Sequence, residues 1–156
     1  MVGVTFSLAA EEAANGIATI RSQLNTLVKQ GQDIQPLLQE IGEYLLLAHD
    51  ERWQKQQSPD GEPWQPLSPD YATTKSRNPN LILVLNRHLS RELSYDTSQD
   101  ELQFGTNYEY GAIHHFGGTP IMRPQNAAIP ARPWLGASEE DLQVISEMVI
   151  ARLKSA

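Results

Sequence analysis

Residues 105–118 read GTNYEYGAIHHFGG, two adjacent histidines set among aromatics and closed by a double glycine. Imidazole is a common metal ligand, and it exchanges its proton near neutral pH, so these are the residue types of a metal or acid–base site. The spacing argues the other way. On a helix, neighbouring side chains diverge by about 100°, so His114 and His115 do not readily share one ion; residues four apart do. No H-x-x-x-H occurs, and the other nitrogen ligands, His49 beside Asp50 and His88, are distant in the chain. Nucleophilic catalysis has little to build on, since there is no cysteine and no serine in a G-x-S-x-G elbow. GTNYEYG lacks the Lys-Ser/Thr end of a phosphate-binding P-loop and the spacing of a dinucleotide fingerprint. No cofactor is expected. A small metal-dependent hydrolase using His49, Asp50, His114 and His115 stands as the alternative.

The structural reading uses the same residues differently. Tyr108, Tyr110, Ile113 and Phe116 supply apolar area, and Gly111 allows another backbone to approach closely. A histidine here donates at one ring nitrogen, accepts at the other and ties a neighbouring loop down. His49-Asp50, on a charged helix face, reads as solvated surface.

The elements that must position this stretch follow from periodicity. Val2, Val4, Phe6 and Leu8 alternate with small or polar residues, the pattern of a half-buried strand. Ile17, Ile20, Leu24, Leu27 and Val28 recur at helical spacing, and Gly31 stops that helix. Asp33 caps a second helix with Ile34, Leu38, Ile41, Leu45 and Ala48 on one face, while Leu37, Tyr44 and Leu47 add a second apolar edge. In SPDGEPWQPLSP at 58–69 four prolines hold an extended or turning path, and Asp60-Gly61 marks a turn. Trp64 and Leu67 are the apolar residues that would anchor this loop. Leu89 to Leu93 reads as the end of a short helix, 93–106 as a β-hairpin, and Tyr108 to His115 as a short helix ended by Gly117-Gly118. Residues 119–135 form a proline-punctuated loop or arm. A last helix over 138–154 starts at Ser138 with Asp141 three residues on, and Arg152 and Lys154 complement its C-terminal dipole. Residues 1–156 therefore read as a single α+β domain, a small antiparallel sheet packed with helices, with long N-terminal helices, a C-terminal helix and projecting proline-rich loops.

Composition narrows the function classes. The chain has 156 residues, a formal net charge of −7, and an apolar content of 40%, ordinary for a globular protein. An acidic chain is a poor general grip for nucleic acid, which needs a surplus of Lys and Arg. Lys75, Arg77, Arg87 and Arg91 form a local basic run without an intervening acid, and a nucleic-acid-contacting neck protein using it is a second alternative. The plainer reading of that run is a solvated face. No basic leader precedes the first apolar patch, and no run approaches the about 20 apolar residues that span a bilayer. The expectation is a soluble product made in the cytoplasm.

In chain order, Trp53, PDGEPWQPL at 59–67, Lys75, LNRHLSREL at 85–93, GTN at 105–107, YGAIHHFGG at 110–118 and PARPWLG at 130–136 form an ordered set. The set resembles the phage virion morphogenesis, or tail-completion, proteins of Mu-like and related tailed phages and prophages. It covers the chain after the second helix; Asn86-Arg87, Gly111, His115 and Trp134 depart from the family pattern. The resemblance implies a non-catalytic structural part of the virion, made in the bacterial host and acting in tail completion or head–tail joining. It also implies other tail or neck proteins as partners and a homo-oligomeric ring in the particle; from the apolar runs and the histidine spacing above, neither membrane association nor a metal is expected. Trp64, Tyr108, Tyr110, His114, Phe116, Arg132 and Trp134 are the candidate assembly or loop-anchor residues. For Trp64, Arg132 and Trp134 in particular, an interface role and a local anchor are both open.

Overall fold

The computed structural model describes residues 4–8, 17–67, 73, 75, 77, 81–83, 91–107, 111–116 and 130–155. Among them run strand β1 (Val4–Leu8), helices α1 (Ala18–Lys29) and α2 (Gln35–Lys55), strands β2 (Leu93–Thr97) and β3 (Leu102–Thr106), a short helix α3 (Gly111–Phe116) and helix α4 (Glu139–Ser155). The three strands form one sheet in the order β1-β3-β2. The hairpin expected at 93–106 is β2 and β3, closed where the Ser98 N–H donates to the Glu101 carbonyl at 2.9 Å. Its boundary corrects one reading, because Leu93 opens a strand and does not end a helix. The fold is α+β, as its sequence indicated.

Chain contacts gather into two units, Phe6–Ala48 with Ser94–Phe104 and Ala137–Ala156, and Met1–Thr5 with His49–Leu93 and Gly105–Gly136. The first is a helical unit with an aliphatic core. Ile20, Leu24 and Leu27 of α1, Ile34, Leu37, Leu38, Ile41 and Leu45 of α2, Leu102 and Phe104 of β3, and Ile145 and Val149 of α4 are all buried. The period-3.6 stripes explain why these helices exist, since each has one face to hide from water. Gly31 at φ 77° ends the first helical segment, in the left-handed conformation that glycine adopts without strain. Asp33 accepts the Gln35 N–H at 3.1 Å and so caps α2.

Two apolar residues expected on buried faces of this unit are exposed instead. Leu47 is 72% exposed, so the second apolar edge of α2 holds only for Leu37, with Tyr44 half-buried; Val28 is 43% exposed. The helix turns Leu47 outward because its 100° step places it opposite Leu38, Ile41 and Leu45.

The helical unit also carries side-chain ties that pattern reading does not show. Tyr95 lies flat on Gly42, where a Cβ would stand 2.6 Å from the ring, so α2 and β2 approach closely only because residue 42 has no side chain. The Tyr95 hydroxyl donates to Glu43 at 2.8 Å, and that hydrogen bond is the main reason its pKa is raised. Tyr44 donates to the buried Asp141 carboxylate at 2.8 Å. The other Asp141 oxygen accepts the Ser138 N–H at 3.0 Å, and Ser138 Oγ accepts the Asp141 N–H at 3.1 Å. This is the expected capping box, and its reciprocal bonds satisfy a carboxylate that burial would otherwise penalise.

Candidate functional site

The second unit holds the sequence stretch with possible chemistry, and its core is aromatic. Trp53 on α2 is the centre. Its ring lies 5.4 Å from that of Trp64 at 70°, and 5.5 Å from that of Trp134 at 48°. His115 continues the line, 6.0 Å from Trp134 and edge-on. All three indoles are buried.

The loop after α2 reaches this cluster by a defined path. Gln56 ends the helix with φ 57°. Its side-chain amide donates to the Ile82 carbonyl at 3.1 Å and accepts the Ile82 N–H, pairing with that backbone as a strand would. Ser58 to Gly61 form the expected turn, with the Gly61 N–H on the Ser58 carbonyl at 3.0 Å and φ 86° at Gly61. Gln57 then pairs with Pro63, and the Trp64 N–H returns to the Gln56 carbonyl at 3.1 Å. The result seats Trp64, whose indole N–H donates to the Pro133 carbonyl at 2.7 Å.

Residues 130–136 are bound as a strap. The Arg132 guanidinium donates to the Gln65 and Pro66 carbonyls at 2.7 and 3.1 Å, and its backbone N–H to the His114 carbonyl at 2.9 Å. The Trp134 indole N–H donates to the Gly111 carbonyl at 3.0 Å. Arg52 on α2 donates to the Gly136 carbonyl at 2.9 Å. Gly136 has φ 152°, and a Cβ there would meet Pro59 at 3.3 Å, so both conformation and space call for glycine.

The histidines complete the strap's bonding. Nδ1 of His115 stands 3.3 Å from the backbone N of both Trp134 and Leu135 and accepts from both. Nε2 of His49 accepts the Gly136 N–H at 3.2 Å. Each of these nitrogens receives an N–H through its lone pair, which is available only while that nitrogen carries no proton. His49 is fully buried, which corrects the reading of His49-Asp50 as solvated surface; Asp50 beside it is exposed. Burial lowers the pKa of His115, and lowers that of His114 with a further contribution from nearby Arg132.

This geometry is that of a packed corner. Nδ1 of His115 and Nε2 of His49 are taken up by backbone amides, while Nδ1 of His114 is buried without a hydrogen-bond partner; no cluster of three or more His, Cys, Asp or Glu suited to a metal occurs among the described residues. Phe116 is 69% exposed, and its ring meets that of His115 at 4.6 Å. Tyr108, Tyr110, His88, Arg87 and 119–129 lie outside the described residues. Of the basic run, Lys75 donates to the Leu81 carbonyl, and burial lowers its pKa; Arg77 and Arg91 are exposed. The readings missed Gln56, Arg52 and His49 as positioning groups. A polar residue one step past a helix end was the available signal only for Gln56.

Residues 16–154 match the Phage virion morphogenesis family, and the chain belongs to that family. It is 33% identical over 116 residues to a capsid assembly protein G of Escherichia phage Mu, covering 72% of this chain and 74% of the relative. It is 29% identical over 121 residues to tail completion protein S of Escherichia phage P2, covering 74% and 81%. A Mu-like prophage G protein 1 of Haemophilus influenzae is 27% identical over 138 residues, covering 85% and 87%. No solved structure matches. No described helix is long and apolar enough to cross a membrane.

Proposed function

We propose that this protein is a structural part of a tailed-phage particle, acting when the tail is completed or joined to the head, and that it works without catalysis. The observation that carries the reading is the family match across residues 16–154, with relatives named for tail completion and capsid assembly. The corner geometry supports it, because the histidines hold backbone and the tryptophans and Arg132 anchor loops. Residues 1–156 act as one module in this reading, with other tail or neck proteins as partners and copies of the chain arranged in a ring. A ring requires unlike faces of identical subunits to meet. Exposed Asp60 to Pro63, at the tip of the 58–67 loop, are available for such a contact, whereas Trp64 is buried as the loop's anchor.

The test is electron microscopy of induced lysates from the parent phage with the gene deleted. Filled heads beside unattached or abnormal tails, restored by the wild-type gene in trans, are expected. Normal joined particles in the deletion would overturn the proposed role.

A further inference from the structure

Three consecutive backbone amides, those of Trp134, Leu135 and Gly136, end on imidazole nitrogens from two different helices. A carbonyl in those places would accept at any ordinary pH. An imidazole nitrogen accepts only while unprotonated. We propose that residues 130–136 are a pH-released strap: a proton taken up at His115 Nδ1 or His49 Nε2 turns the acceptor into a donor facing an N–H, and the strap leaves its seat under mild acid while the helical unit stays folded.

The surroundings oppose the extra charge. Arg52 on α2 already binds the Gly136 carbonyl, and Arg132 in the strap lies beside His114 on α3. Other charged groups on these elements, Glu40, Glu43, Asp50, Glu51 and Lys55 on α2 and Asp60 and Glu62 in the turn, are exposed. Glu51 is engaged with Lys55 at 2.7 Å. The described ties of the strap other than the histidine bonds run from indole, guanidinium or backbone N–H to carbonyls and do not titrate between mild acid and neutrality. The sign is then set. Burial depresses His115 below its ordinary 6.5, so the strap is fully held above that pH and loosens as pH falls through the folded value. Its departure uncovers Trp53 and Trp64, an aromatic surface otherwise hidden.

All three tryptophans of the chain lie in this cluster, so their emission reports on the strap directly. The experiment titrates wild type from pH 8 to pH 4.5, following tryptophan emission and far-ultraviolet circular dichroism together. A red shift below pH 6.5 that precedes any loss of helix is expected. His115→Gln and His49→Gln supply a side-chain oxygen that accepts but does not titrate in this range, and each should move or flatten the emission change. Emission and helicity falling at one common midpoint, or a Gln variant that folds and titrates as wild type does, would overturn the proposal.

Where a variant does not fold, amide exchange on wild type decides. Protection of Trp134, Leu135 and Gly136, corrected for intrinsic exchange, should fall by up to about tenfold per pH unit for one linked proton, with α4 amides unchanged. Protection that is the same at pH 7.5 and 5.5 sinks it.

Discussion

The two units are held by different physics. The helical unit hides aliphatic stripes, and most of its core positions can be read from a 3.6-residue period. The aromatic unit has few regular elements among its described residues. It surrounds three indoles with side chains that bond backbone, namely Gln56, Arg52, Arg132, His49 and His115. Aliphatic packing tolerates substitutions that conserve volume. A unit assembled from directional bonds tolerates less, because a lost partner leaves a buried polar group unpaired.

Trp134→Ala presses hardest on this contrast. The residue is fully buried and touches Trp53 while bonding Gly111, so a loss of about 3–5 kcal/mol is expected. Urea unfolding followed by circular dichroism measures it; a loss under 1 kcal/mol would mean that the indole cluster is not that unit's core. Gly42→Ala tests the helical unit where it is least forgiving. Helix propensity alone makes alanine better by about 1 kcal/mol, but a Cβ at 2.6 Å from the Tyr95 ring must displace it, and overpacking of that kind costs about 1–3 kcal/mol. Net destabilisation in a thermal melt is the expected result, and a higher Tm would show that the Tyr95 contact yields freely. Smallest is Ser138→Ala, which removes one half of the capping box on α4 and should cost about 1 kcal/mol. Equal stability of this variant and wild type would make the cap decorative.

Legibility followed the same division. Ile20, Leu24, Leu27, Leu38, Ile41 and Leu45 were marked by spacing, and Ser138 with Asp141 by the capping pattern, because these depend on neighbours within one helix. Leu47 was misjudged since an apolar residue at the margin of a stripe does not reveal whether anything lies opposite it. His49 was misjudged because its partner, the Gly136 amide, is 87 residues away. Nothing local distinguishes a buried acceptor from a solvated imidazole.

By itself the sequence determined the long helices, the hairpin, the turn at Asp60-Gly61 and the family, because periodicity, caps, turns and an ordered motif set are local or linear properties. Only the tertiary structure decided what the histidines do. Whether an imidazole binds metal, meets solvent or receives a backbone N–H depends on which distant group is brought to its nitrogen, and here the strap at 134–136 is brought there by bonds from Arg52, Trp64 and Arg132.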